Sequence, residues 1–170
     1  MARGPRQRSV YRRRRSGDTD YGRRLKLLRN GSPRAVVRIS NTQTTAQLVL
    51  YQPDGDVVVA GTTGESLVKK YGWPEGMSRK SIPASYLVGF ALGKSALAAG
   101  HDEAILDIGL AASSRGGRVF SALKGMVDAG LSVPHGESVL PDDERINGAH
   151  IDAKVAKAVA ASKAKIEGAF

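Results

Sequence analysis

Residues 34–60 read RAVVRISNTQTTAQLVLYQPDGDVVVA, and the alternation inside them decides the fold class. Successive side chains of a strand point to opposite faces. Ala35, Val37 and Ile39 therefore share one face of an extended Arg34–Asn41 segment, with Val36, Arg38 and Ser40 on the other. Thr44–Tyr51 alternates again, setting Ala46, Leu48 and Leu50 against Thr45, Gln47, Val49 and Tyr51. Pro53-Asp54-Gly55 is turn chemistry, and Val57–Ala60 is the next strand. Three strands joined by short links predict an antiparallel meander with one apolar face. The other face offers Arg38, Ser40, Thr45 and Gln47. Such a face is usually no more than solvated, but it begins with Arg38 and lies near the strongly basic first 38 residues, which makes it a candidate RNA contact.

Downstream, Glu65–Tyr71 is predicted as a short helix, broken at Gly72-Trp73-Pro74. A longer helix opens at Pro83, runs through Tyr86, Leu87, Phe90 and Leu97, and stops at Gly100. Gly89 and Gly93 share one side of it, where a backbone can come close; packing of the helix on the sheet explains them. Glu103–Leu110 reads as a buried strand, and Val119, Phe120, Leu123, Met126 and Val127 form a helical stripe. The fold class is therefore α/β in the mixed α+β sense: an antiparallel three-strand meander, extended by a further strand and packed by helices. Past His135 the chain turns polar, and a last helix starts near Asn147 or His150. Ile151, Val155, Val159 and Ile166 lie roughly on one side of it, and it is expected to dock loosely. The division is a basic arm (1–17), a globular domain (18–135), and a polar loop with a C-terminal helix (136–170).

Charge is divided as sharply as hydrophobicity. Thirteen of the 26 Lys and Arg lie in residues 1–38 beside only Asp18 and Asp20, and everything after them is close to neutral. Arg3, Arg6, Arg8 and the run Arg12, Arg13, Arg14 and Arg15 repel one another, so the arm is expected to stay extended until a polyanion neutralises it. Arg matches phosphate oxygens with a planar fork, and Tyr11 and Tyr21 interrupt the basic run where bases would stack. These features point to nucleic acid. A helix capped at Asp18 or Thr19 follows, through Tyr21, Leu25 and Leu28, with Arg23, Arg24 and Lys26 on its exposed side.

A second basic element is Ser113-Ser114-Arg115-Gly116-Gly117-Arg118, ahead of the Val119–Phe120 stripe. Arg115 and Arg118 at a helix start oppose the macrodipole, and a bound anion would reverse that conflict. Solvent-exposed arginines beside a flexible turn are the plain alternative. With no Cys, thiolate chemistry and Cys-type zinc sites are excluded. Gly61–Ser66 lacks the Lys of a phosphate-binding loop, and no cofactor motif or small-molecule site is seen. No stretch is apolar enough to span a membrane. His101, His135 and His150 are scattered singly. Asp102, Glu103 and Asp107 raise a metal-dependent nuclease, but Asp107 suits a hydrogen-bonded strand end better, and no metal site is expected.

The run RVFSALKGMVDAGLSVPH (118–135) resembles the archaeal and eukaryotic branch of the universal ribosomal protein L18 family. Further resemblances keep the same order: TDYGRRLKLL from Thr19, RAVVRISN from Arg34, AQLV from Ala46, KYGW from Lys70, ASYLVG from Ala84, LDIGL from Leu106 and GAHI from Gly148. The resemblance implies a structural protein of the large ribosomal subunit, cytoplasmic and not an enzyme. It implies a clamp on 5S rRNA in the central protuberance, contact with 23S-type rRNA, and a neighbouring 5S-binding ribosomal protein. By the same resemblance Arg6, Arg8, Tyr11 and Arg12–Arg15 would thread along RNA, with Tyr21, Arg23 and Arg24 following. Arg38, Ser40 and Asn41 would face RNA at the strand end, and Arg118 would sit near its backbone. A non-ribosomal RNA binder and the nuclease remain the alternatives.

Overall fold

The alternating segments form strands β1 (Arg34–Ile39), β2 (Thr44–Leu50) and β3 (Val57–Thr63) of an antiparallel meander. They are seen in a computed structural model that describes Gly4 and residues 9–170. Ala35, Val37, Ala46 and Leu48 are fully buried on the apolar face, as their spacing requires. The meander is irregular at one place. Leu48 pairs with Ala60 but Val49 pairs with Val58, so Val59 is the extra residue of a bulge. Val49, placed on the polar face by its alternation, is buried there because it lies opposite Arg34, itself buried.

The further strand, β4 (Ile105–Asp107), is shorter than the Glu103–Leu110 pattern suggests. Gly109 turns the chain at φ +60°, and Glu103 makes only an isolated bridge to Ser132. β4 runs parallel to β1, giving the order β3-β2-β1-β4. The parallel pairing sets Asp107 opposite Val36, on the face that also carries Arg34 and Arg38.

Helix α1 is a single turn, Arg12–Arg15, inside the arm expected to be extended; α2 follows as Tyr21–Leu28. Its cap is Asp20 rather than Asp18 or Thr19: Asp20 Oδ1 accepts the Arg23 N–H at 3.0 Å. No residue of α2 is buried, and Leu25 is exposed. Leu27 and Leu28 are only half-buried, so apolar packing by itself holds this helix weakly.

Beyond the meander come α3 (Gly64–Tyr71), α4 (Ile82–Ala98) and α5 (Arg118–Asp128). Thr63 caps α3 by accepting the Ser66 N–H, and Ser81 caps α4 by accepting that of Ala84. On the apolar face of the sheet, α4 packs on β2 and β3 and α5 on β1. Gly89 and Gly93, expected to serve helix–sheet packing, serve the α4–α5 contact instead. A methyl at Gly89 would overlap the Ala122 carbonyl, one at Gly93 would come within 2.6 Å of Ala129 Cβ, and one at Gly125 of α5 would overlap the Tyr86 carbonyl. Two backbones meet here with no side chain between them.

The C-terminal region carries more structure than its polarity suggests. It holds a 3-10 turn at Glu137–Val139, then α6 (Asp143–Asn147) and α7 (Ala153–Glu167). Expected to dock loosely, α7 instead buries Val159, Ser162 and Ile166 as it packs on α4 and α3. Ile151, expected on the same face, is exposed ahead of the Asp152 cap. No helix among the described residues is long and apolar enough to cross a membrane.

Gly89→Ala sets two effects against each other. Alanine gains about 1 kcal/mol of helix propensity, but overpacking against a backbone carbonyl costs about 1–3 kcal/mol or more. The clash dominates because the opposing atom is backbone. Urea unfolding should show Gly89→Ala destabilised, whereas Gly76→Ala, in open space, stays within about 0.5 kcal/mol of the parent. Equal midpoints for the two variants would contradict the interhelical contact.

Candidate nucleic-acid interface

On the polar face of the sheet, five charged side chains alternate in sign. Arg24 Nη2 donates to both carboxylate oxygens of Asp56 at 3.0 Å. Arg34 donates from Nη2 to Asp56 Oδ2 at 2.5 Å and from Nη1 to Asp107 Oδ2 at 2.8 Å. Arg38 donates from Nη2 to Asp107 Oδ1 at 3.1 Å, and from Nη1 to the Val37 and Asp107 carbonyls at 2.8 and 2.7 Å. This ladder ties α2, the β2–β3 turn, β1 and β4 together. Arg23 adds a strut by donating to the Gly109 carbonyl at 2.6 Å. Ionic and polar contacts thus do for α2 what apolar burial does only weakly.

Burial by itself would raise the pKa of Asp107. The Arg38 charge, the Gly109 N–H at 2.9 Å and the hydrogen bonds from Arg38 and Arg34 outweigh it, so the carboxyl is held below its ordinary value of 3.8. Asp56 is likewise lowered: desolvation opposes ionisation, and Arg24 and Arg34 overcome it. Asp107 is the residue on which a nuclease would turn, and both its oxygens are engaged by guanidiniums and a backbone N–H. Asp102 and Glu103 lie exposed, and no group of three or more potential metal ligands occurs among the described residues.

The positions singled out from sequence separate into three groups. Arg3, Arg6 and Arg8 lie outside the described residues. Tyr11 and Arg12, Arg13, Arg14 and Arg15 are exposed, and no ion pair engages these arginines among the described residues. Tyr11 of the arm leans on Tyr21 of α2 with ring centroids 5.4 Å apart and the rings tilted by 40°. Arg23, Arg24 and Arg38 are turned partly toward the protein by the ladder, and beside them a cleft of about 710 Å³ opens, lined also by Arg13, Tyr21 and Tyr51. Thr45 and Gln47 are half-buried on the same sheet face.

The third group meets at the start of α5. Ser40, Asn41, Ser114, Gly117 and Arg118 line a second cleft of about 460 Å³, together with Lys80. Gly117 caps α5 without a side-chain hydrogen bond, so the first backbone N–H groups of this helix lack an internal acceptor. Ser40 shapes the strand end, its Oγ accepting the Thr42 and Gln43 N–H groups. Arg115 is exposed but does not line this cleft. Sequence reasoning missed Lys80, which sits in an unpatterned loop, and Arg145, whose Nη1 lies near Gly116 through the fold of α6. The α5 start thus combines free N–H groups, hydroxyls and two cations, the donor set that holds phosphate oxygens.

Comparison with known proteins finds a family and close relatives for this chain. The family described as ribosomal large subunit proteins 60S L5 and 50S L18 matches residues 5–103 and 98–136. The large ribosomal subunit protein uL18 of Methanobrevibacter smithii is 49% identical over 151 residues, covering 89% of this chain and 77% of its own length. That of Methanoculleus marisnigri is 53% identical over 151 residues, covering 89% and 85%. The Methanothermobacter thermautotrophicus protein is 50% identical over 151 residues, covering 89% and 77%.

Removing the Asp107 charge leaves Arg34 buried and short of an anion. Asp107→Asn should lower unfolding free energy at pH 7 by about 3–5 kcal/mol. The folded pKa lies below the ordinary one, so the contribution of Asp107 is complete above the ordinary value of 3.8 and vanishes as pH falls through the folded value. The gap between parent and variant in urea unfolding should therefore narrow on acidification below about pH 4. A variant as stable as the parent at pH 7 would rule out a structural role for the ladder.

Proposed function

The chain belongs to the family of large-subunit ribosomal proteins 60S L5 and 50S L18, and from that premise we propose that it binds 5S rRNA and fixes it to the large-subunit rRNA in the central protuberance. The coarser role follows from the family itself: a structural constituent of the large ribosomal subunit in the cytoplasm, working in translation and not an enzyme. The observation that carries the finer reading is the pairing of an unneutralised arginine turn with a preformed anion cleft at the α5 start.

The mechanism is binding in two parts. Arg12–Arg15 and the arginines before them in the sequence supply positive charge, and the Tyr11–Tyr21 pair offers a surface for an unpaired base. Ser40, Asn41, Lys80 and Arg118 surround a fixed seat into which the first N–H groups of α5 donate to phosphate oxygens in one orientation. Ordering the arm loses conformational entropy, which counterion release and phosphate pairing offset. The ladder holds α2, and with it the root of the arm, at a set place on the sheet. Contacts with 23S-type rRNA and with a neighbouring 5S-binding protein complete the proposed setting.

If about six phosphates are neutralised, log affinity for 5S rRNA should fall against log salt with a slope of about −4 to −5. A flat titration would overturn the reading. Removing residues 1–15 should weaken 5S binding while leaving the circular-dichroism spectrum folded, because nothing in α1 is buried. Lys80→Ala and Arg118→Ala should each weaken binding more than Lys157→Ala, which alters an exposed position of α7. Equal effects would remove the α5 start from the interface.

A further inference from the structure

One edge of the sheet is left open. β3 is the outermost strand, and its seven residues bond only to β2. Among the described residues, no backbone hydrogen bond from outside the sheet reaches Val57–Thr63. Val57 and Val58 are 41% and 50% exposed, Tyr51 is exposed next to them, and Gly61 leaves room on the strand. The bulge at Val59 twists this edge but leaves its outward backbone groups unpaired, and an uncovered edge is a template for another strand.

The charge pattern says what does not cover it. Residues 39–68 contain no Lys or Arg, in a chain that has 26 of them. The acids of that stretch are Asp54, Asp56 and Glu65. Asp56 is held by Arg24 and Arg34 and Glu65 by Lys69, which leaves Asp54 exposed at the turn that leads into β3. A phosphate backbone laid along the strand would meet valines and the exposed Asp54, with no cation supplied by the strand itself and the nearest, Arg24 and Arg34, already paired with Asp56. The edge is thus chemically unlike the arm and the α5 cleft.

We infer that the outer edge of β3 takes an extended segment of another protein as a fifth strand. Its apolar side chains cover Val57 and Val58, and a Lys or Arg faces Asp54. Main-chain hydrogen bonds to the open edge supply much of the affinity, and alternate side chains set which segment fits. The inference rests on the ribosomal reading, since the assembled large subunit is where such a neighbour would be met. It adds to that reading a protein-binding edge on a chain otherwise built for RNA.

The test compares three states of the full chain: free, bound to 5S rRNA alone, and within intact large subunits. Backbone hydrogen exchange of the N–H groups of residues 57–63 that face away from β2 should be fast in the first two and slower by at least about tenfold in the third. A photoreactive p-benzoylphenylalanine replacing Val58 should crosslink in intact subunits to one protein segment, mapped by mass spectrometry as apolar and carrying Lys or Arg. Protection of β3 by 5S rRNA alone, or a crosslink to RNA, would overturn the inference while leaving the ribosomal reading intact. So would exchange that stays fast in the intact subunit. Failure of the chain to enter large subunits would instead overturn the ribosomal reading.

Discussion

Asp107 lies between Arg34 and Arg38, and most of the functional face depends on that arrangement. A carboxylate buried on a sheet face without a partner would be strongly unfavourable, and so would Arg34, which is as well buried. Together they are tolerated, and each fixes the other. The pair joins β4, only three residues long, to β1 through side chains as well as through the backbone ladder. Its continuation through Asp56 to Arg24 anchors a helix none of whose apolar side chains is more than half-buried.

The same constraint divides the arginines by role. Arg34 is structural, buried among carboxylates. Arg24 and Arg38 are partly committed to the ladder while remaining partly exposed, so they can hold the fold and still present charge to a polyanion. Arg12–Arg15 and Arg118 carry no ion pair among the described residues, and Arg118 sits at a helix start where its charge opposes the macrodipole. Positions that are unfavourable in the isolated protein become favourable beside phosphate. On the opposite face α4 and α5 meet through glycine, which sets α5, and therefore its N-terminal cleft, at a fixed distance from the end of β1.

Local pattern was legible and long-range partnership was not. Ala35, Val37, Ala46 and Leu48 announced their buried face by alternation alone, and the α5 stripe announced itself by helical spacing. Segregation of charge marked the arm before any coordinates. Asp107 was readable as a hydrogen-bonded strand end, but its partner Arg34 is 73 positions away, and nothing local encodes that pairing. Gly89 and Gly93 signalled a close backbone approach without saying to what; the answer required Gly125 of another helix. The docked α7 was underestimated because three buried side chains among alanines and lysines give a weak periodic signal. Lys80 escaped notice because loop residues gain meaning only from what folding brings beside them.

The central claim is a grip with two separable parts, one in the N-terminal arm and one built into the domain. Hydroxyl-radical footprinting of 5S rRNA tests it most directly, comparing the full chain with a form lacking residues 1–15 at saturating concentration of each. The account predicts two protected regions with the full chain, of which the shortened form loses one and keeps the other. A single protected region that disappears entirely with the arm would contradict it, because the α5 cleft would then hold no RNA of its own.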